Sequence, residues 1–184
     1  GWSVDLSGTT SPQALRATRD LSVTATFAVP LPEPRLIVSL RSNGTTTGGL
    51  AYADEDTLYD DPDAGLVLRF DGSDFALARE DVDALAQLPD GTLLISLDSP
   101  ARNLPGLAGV TVDDSDIIRF DPVTGQFSWY FDGSDVGLTT GGEDVDAIAL
   151  LPDGRLLGST SGAVAVPGLK AADEYVLVFE GALG

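Results

Sequence analysis

Apolar residues in this chain fall into short runs separated by turn formers, and no stretch repeats them with the period of a helix. The run at 82–88 (Val-Asp-Ala-Leu-Ala-Gln-Leu) ends on Pro89-Asp90-Gly91, and a second run follows at once at 92–97. Two apolar runs around Asp-Gly predict a β-hairpin. Residues 99–111, rich in Pro, Asn, Gly and Ala, read as a loop. Beyond them, 117–120 and 127–131 read as two more strands around a turn at 121–125. The segment is a meander of four strands.

That meander recurs. Phe-Asp-Gly-Ser-Asp at 70–74 returns at 131–135, and Glu-Asp-Val-Asp-Ala at 80–84 returns at 143–147. Leu-Pro-Asp-Gly at 88–91 returns at 151–154, and Leu-Pro-Gly-Leu at 104–107 returns as Val-Pro-Gly-Leu at 166–169. Near-constant spacing across four motifs makes this an internal repeat, which governs architecture before any single residue does. The last copy has strands at 145–151, 155–160 and 175–179 and lacks a fourth. A degenerate first copy has strands at 23–29, 35–40, 57–59 and 66–70, with Leu31-Pro32-Glu33-Pro34 in place of the hairpin turn. Before it, Trp-Ser-Val-Asp-Leu-Ser at 2–7 matches Trp-Tyr-Phe-Asp-Gly-Ser at 129–134, the middle copy's fourth strand. The sequence therefore starts on a fourth strand and ends without one.

This phase favours a closed ring over a linear stack, because a first strand paired with the last unit removes two sheet edges. The expected fold is all-β and propeller-like: three four-stranded antiparallel units in one domain, 1–184. The units are 8–71, 72–132, and 133–184 completed by strand 1–7. A monomeric three-unit ring and a homodimeric six-unit propeller both fit, the monomer being favoured because the terminal strands complement each other.

The run Phe-Asp-Gly-Ser-Asp-Val-Gly-Leu at 131–138, joined to Glu-Asp-Val-Asp-Ala and Leu-Pro-Asp-Gly-Arg-Leu-Leu, resembles a repeat of large bacterial exported proteins. The likeness covers 66–180 well and 1–65 weakly. The hairpins are also similar to blades of sugar-lactonase and NHL propellers. The resemblance implies an extracellular, propeller-like protein and brings no catalytic residues with it. Gly1 in place of Met fits a processed chain, so a secreted or periplasmic location is expected.

Composition narrows the chemistry. Hydrophobic content of 43% with 21% charged residues suits a globular chain, while 29 acidic against 10 basic residues give a net charge of −19. That field repels nucleic acid and anionic membrane and attracts cationic partners. No run is long enough to span a bilayer. His, Cys and Met are absent, which excludes disulfides, thiolate or imidazole metal sites, and any His- or Cys-based catalytic triad.

The most regular polar feature is Glu80-Asp81-x-Asp83 and its echo Glu143-Asp144-x-Asp146. Strand alternation puts Asp81 with Asp83, and Asp144 with Asp146, on one face. If the first strands line a central axis, these four carboxylates form a candidate calcium site, since the ion takes roughly six to eight oxygens. The other reading is that they accept backbone hydrogen bonds and hold neighbouring units in register; no cofactor is then needed. A second acidic set at 54–56, 113–116 and 173–174 follows the scaffold, and Phe-Asp-Gly-Ser-Asp reads as a capped corner.

Acids that repeat with the scaffold argue against a catalytic pair, so the expected function is a non-catalytic binding or scaffold domain for a peptide, protein or carbohydrate. Candidate ligand contacts are Trp129 and three residues without counterparts in the other copies, Arg102, Asn103 and Lys170. The competing class is a carboxylate-based hydrolase or lyase, with or without calcium, working through the same Asp residues.

Overall fold

The computed structural model describes residues 2–4, 23–25 and 36–181, the first two segments as backbone only. The chain divides into two compact units, Gly1–Pro34 and Arg35–Gly184. In the first, β1 (Trp2–Val4) pairs antiparallel with β2 (Val23–Ala25). The first strand thus has a partner close in sequence, where the repeat phase had predicted the last repeat. A local pairing closes a shorter loop and loses less chain entropy than one across the whole chain. The remainder of the 2–7 match and of the 23–29 run lies outside the described residues.

The larger unit is all-β and carries the repeat visibly. The first copy has β3 (Ile37–Ser39), β4 (Gly44–Thr45), β5 (Ala51–Tyr52), β6 (Thr57–Asp61) and β7 (Gly65–Phe70). In the middle copy are β8 (Val82–Gln87), β9 (Leu93–Leu97), β10 (Ala101–Arg102), β11 (Thr111–Val112), β12 (Ile117–Asp121) and β13 (Gln126–Phe131). The last has β14 (Val145–Leu150), β15 (Leu156–Thr160), β16 (Val164–Val166), β17 (Leu169–Ala171) and β18 (Leu177–Phe179).

The middle sheet runs β13-β12-β9-β8, the predicted antiparallel meander. Its neighbours have three strands each, β3-β6-β7 and β14-β15-β18. The segment read as a loop at 99–111 holds most of a small hairpin instead, β10 with β11, and its equivalents in the other copies are β4 with β5 and β16 with β17. Strands of two or three residues leave too little alternation to read against Gly and Pro. Among the described residues the sheets are small and none closes on itself.

Local chemistry explains these elements. In the β8–β9 turn, Gly91 N–H donates to Leu88 C=O at 2.9 Å with Gly91 at φ +87, the left-handed geometry that favours glycine. Gly154 repeats it at φ +88. Asp71 and Asp132 cap short 3₁₀ turns by accepting from Ser73 and Ser134 N–H and hydroxyl groups, so Phe-Asp-Gly-Ser-Asp is the expected corner.

Every residue of β9 is buried, as befits an inner strand covered on both faces. Among the described residues the core has two clusters, and each spans a boundary between repeats. One joins Phe70 and Leu77 to Val82, Ile95, Ile118, Phe120 and Phe127; the other joins Leu94 and Ile117 to Phe131, Leu138, Val145 and Leu156.

Candidate functional site

The Glu-Asp-x-Asp motifs open β8 and β14, which lie against each other. Their first duty is structural. Val82 N–H donates to Asp54 C=O at 3.2 Å, and Val145 N–H donates to Asp114 C=O at 3.0 Å, tying each first strand to the repeat before it. Glu143 is buried and accepts from the backbone N–H groups of Thr139, Thr140 and Ala165, which hold its carboxyl below the usual range. Glu80 takes the Ser99 hydroxyl instead.

Asp83 and Asp146 fall where the ladder skips a residue: Val82 and Ala84 face Leu97 and Ser96, and Val145 and Ala147 face Thr160 and Ser159. Such a bulge re-aims its extra side chain. Asp146 accepts the Ser159 hydroxyl at 2.6 Å. The four carboxylates share one acidic seam. Burial pushes Asp144 up to about 7, and Asp83, Asp114, Asp146 and Asp98 push the same way. Asp81 rises to about 6 through burial, Asp98, Asp54 and Asp83, with Arg41 opposing. Asp83 also rises, mainly through burial and Asp146. One oxygen each of Asp81 and Asp144 is buried without a hydrogen-bond partner. Among the described residues no three acidic side chains are grouped so as to hold a metal ion.

The second acidic set splits by position. Asp56 and Asp116 are buried and repeat one clasp: Asp56 accepts from Ala53 and Gly72 N–H, Asp116 from Asp113 and Gly133 N–H. Each fastens the start of a third strand to the corner after the fourth. In the last copy Tyr175 occupies this position, two residues before Leu177, and is exposed.

The candidate ligand contacts lie on or beside three different strands, β13, β10 and β17. Trp129 is partly buried against the first core cluster. Arg102 and Asn103 are exposed beside β10, Asn103 with φ +60, and Lys170 is exposed on β17. None of these four lines a cavity of about 530 Å³ formed by the last repeat with Ile117 and Phe131 of the middle one. Its walls are apolar side chains such as Phe131, Leu156, Leu177 and Phe179, with Pro167 and Leu169 at the β16–β17 hairpin.

The registers show what the cavity is. Leu93 and Ile95 face Phe120 and Ile118 in the middle sheet, as Leu156 and Gly158 face Phe179 and Leu177 in the last. Gly158 therefore stands where Ile95 stands, Thr160 where Leu97 does, and Val136 in the corner where Phe75 does. Phe127, on β13, packs 5.1 Å from Phe120 between ring centroids, and among the described residues the last sheet has no strand beyond β18 to carry a counterpart. The space lies where the middle repeat holds Phe127. Leu169 is accordingly 44% exposed, where the equivalent Leu107 is 7%.

Sequence reasoning did not find the cavity. The signal lay in Ile95 and Leu97 giving way to Gly158 and Thr160, visible only once the strands are set in register. No protein-family model matches the chain, and no curated protein matches it.

Proposed function

We propose that this chain is a non-catalytic binding module built of propeller-like repeats, with an extended polypeptide as its ligand and the last repeat as its binding site. The cavity beside β18 carries this reading. At about 530 Å³ it falls within the range of small-ligand sites, and its lining is apolar with a few polar groups, Asp135, Ser159 and Thr160, at hand. Beside it, among the described residues, β18 pairs only with β15 and presents Val178 at 46% exposure, with Val176 just before the strand at 68%. An open edge next to an apolar slot suits strand addition, where main-chain hydrogen bonds supply affinity and side-chain pockets supply selectivity. The charge of −19 favours neutral or basic peptides over acidic ones. Export to the cell exterior belongs to this proposal.

The test is an amide NMR titration of the full chain with short aromatic-containing peptides. Shift changes concentrated at Gly158, Thr160, Leu177 and Phe179 support the module. Binding that leaves those amides unmoved removes it.

A second reading, acid–base chemistry at Asp144 beside Asp83, draws on the carboxyl near 7 and the unpartnered buried oxygen. It ranks lower because neither Asp lines the cavity. A hydrolytic activity abolished by Asp144→Asn in a folded protein would reverse that order.

A further inference from the structure

We infer that the groove beside β18 is the seat of a donated fourth strand, and that its occupant is an extended peptide with the aromatic alternation of β13, Phe-Ser-Trp-Tyr-Phe. This rests on the binding reading above and adds the ligand's sequence class and register. The middle repeat shows the seat filled. There β13 pairs with β12 through Phe120↔Phe127, Arg119↔Ser128 and Ile118↔Trp129. Phe127 sets its ring edge-on to Phe70 and tilted against Phe120, at 6.5 and 5.1 Å between centroids. Its N–H donates to Pro105 C=O at 2.7 Å, and a Cβ on Gly106 would strike its backbone. The Pro-Gly turn is shaped to clasp the strand.

In the last repeat the same parts stand ready. Phe131 and Phe179 meet edge to face at 5.0 Å, matching Phe70 and Phe120 at 4.7 Å. Pro167-Gly168 repeats the turn, with Gly168 at φ +85 against +89 for Gly106, and nothing lies within 4 Å of a Cβ built there. The equivalence gives a register for the ligand. Its first aromatic faces Phe179 and enters the cavity, its next residue faces Val178, and the second aromatic faces Leu177. The N–H of the first aromatic donates to Pro167 C=O. Val136 in place of Phe75, and Gly158 in place of Ile95, leave more room than β13 has, so a bulky aromatic fits at the first position.

A labelled peptide with the sequence of residues 124–135 tests this by fluorescence anisotropy against the full chain. Saturable one-to-one binding is expected, at least tenfold weaker for the same peptide with both Phe127 and Trp129 replaced by Ser. Gly158→Ile in the protein, which installs the side chain beside which Phe127 packs in the middle repeat, is expected to leave binding of this peptide in place. Leu169→Glu, an exposed rim change that leaves the core untouched, is expected to weaken it at least tenfold. Equal binding of the Ser-substituted peptide, indifference to Leu169→Glu, loss of binding in a folded Gly158→Ile protein, or self-association of the chain that the peptide does not displace would overturn the inference. If other peptides bind and are lost in Leu169→Glu while the 124–135 peptide fails, the binding module stands and this register falls. If nothing binds the groove, both fall.

Discussion

Phe131 and Phe179 meet edge to face at 5.0 Å, one repeat after Phe70 and Phe120 meet at 4.7 Å, and among the described residues only the earlier pair is joined by a ring from a fourth strand. The same two-ring platform is built twice and covered once. That asymmetry generates the first expectation.

Gly158→Ile should stabilise the free chain. A Cβ at Gly158 meets only Ala147 C=O, at 3.4 Å, and Ile95 already occupies the equivalent place in the middle repeat. Partial filling of an apolar hollow contributes about 1–2 kcal/mol, which raises Tm by roughly 2–6 °C at this chain length. Calorimetry reads it directly, and a lowered Tm would mean that the strand cannot shift to admit the side chain.

Asp116→Ala should cost about 2–4 kcal/mol, because two backbone N–H groups, of Asp113 and Gly133, lose their acceptor in a buried setting. Asp116→Asn keeps one acceptor oxygen and should cost less. Urea unfolding distinguishes the two, and equal losses would show that the carboxylate charge matters more than the clasp.

Glu143→Ala should destabilise by about 1–3 kcal/mol and Glu80→Ala by less. Glu143 serves three N–H groups, whereas Glu80 serves one hydroxyl. The two positions look identical in the repeat, so the ranking discriminates sharply; thermal melts of the pair suffice.

Stability should fall as pH rises from about 5 to 8. Burial lifts Asp81 and Asp116 to about 6 and Asp144 to about 7, from an ordinary 3.8. In this range the folded chain holds protons that the unfolded chain releases. Their contribution is complete below about pH 4 and is lost as pH passes the folded values. Glu143 has the opposite sign: its depressed carboxyl contributes above the ordinary range and its contribution is lost in acid. Tm measured from pH 4 to 8 should therefore peak on the acid side, and Asp144→Asn should flatten the decline between 6 and 8. A Tm climbing steadily toward pH 8 would contradict the assignment.

Much of this fold was legible because the strands are bounded by strong punctuation. Pro89-Asp90-Gly91 and Pro152-Asp153-Gly154 mark hairpins, and the predicted runs at 117–120, 127–131 and 145–151 lie within a residue of β12, β13 and β14. The pairing of β1 was not legible, since a three-residue strand carries no signal for its partner. Nor was the division of labour among the acids. Asp116 and Asp114 are neighbours in one acidic run, yet the first is a buried clasp and the second contributes its backbone carbonyl to Val145. Arg102, Asn103 and Lys170 stood out by being unmatched between copies, whereas the cavity arose from matched positions filled by smaller residues.

Each core cluster takes its first aromatic from the fourth strand of the preceding repeat, Phe70 for the middle copy and Phe131 for the last. The packed module is therefore out of step with the copied one. An extra copy of residues 72–132 inserted after Asp132 would meet, at each junction, a surface shaped by an identical seam. The array can lengthen without designing a new interface.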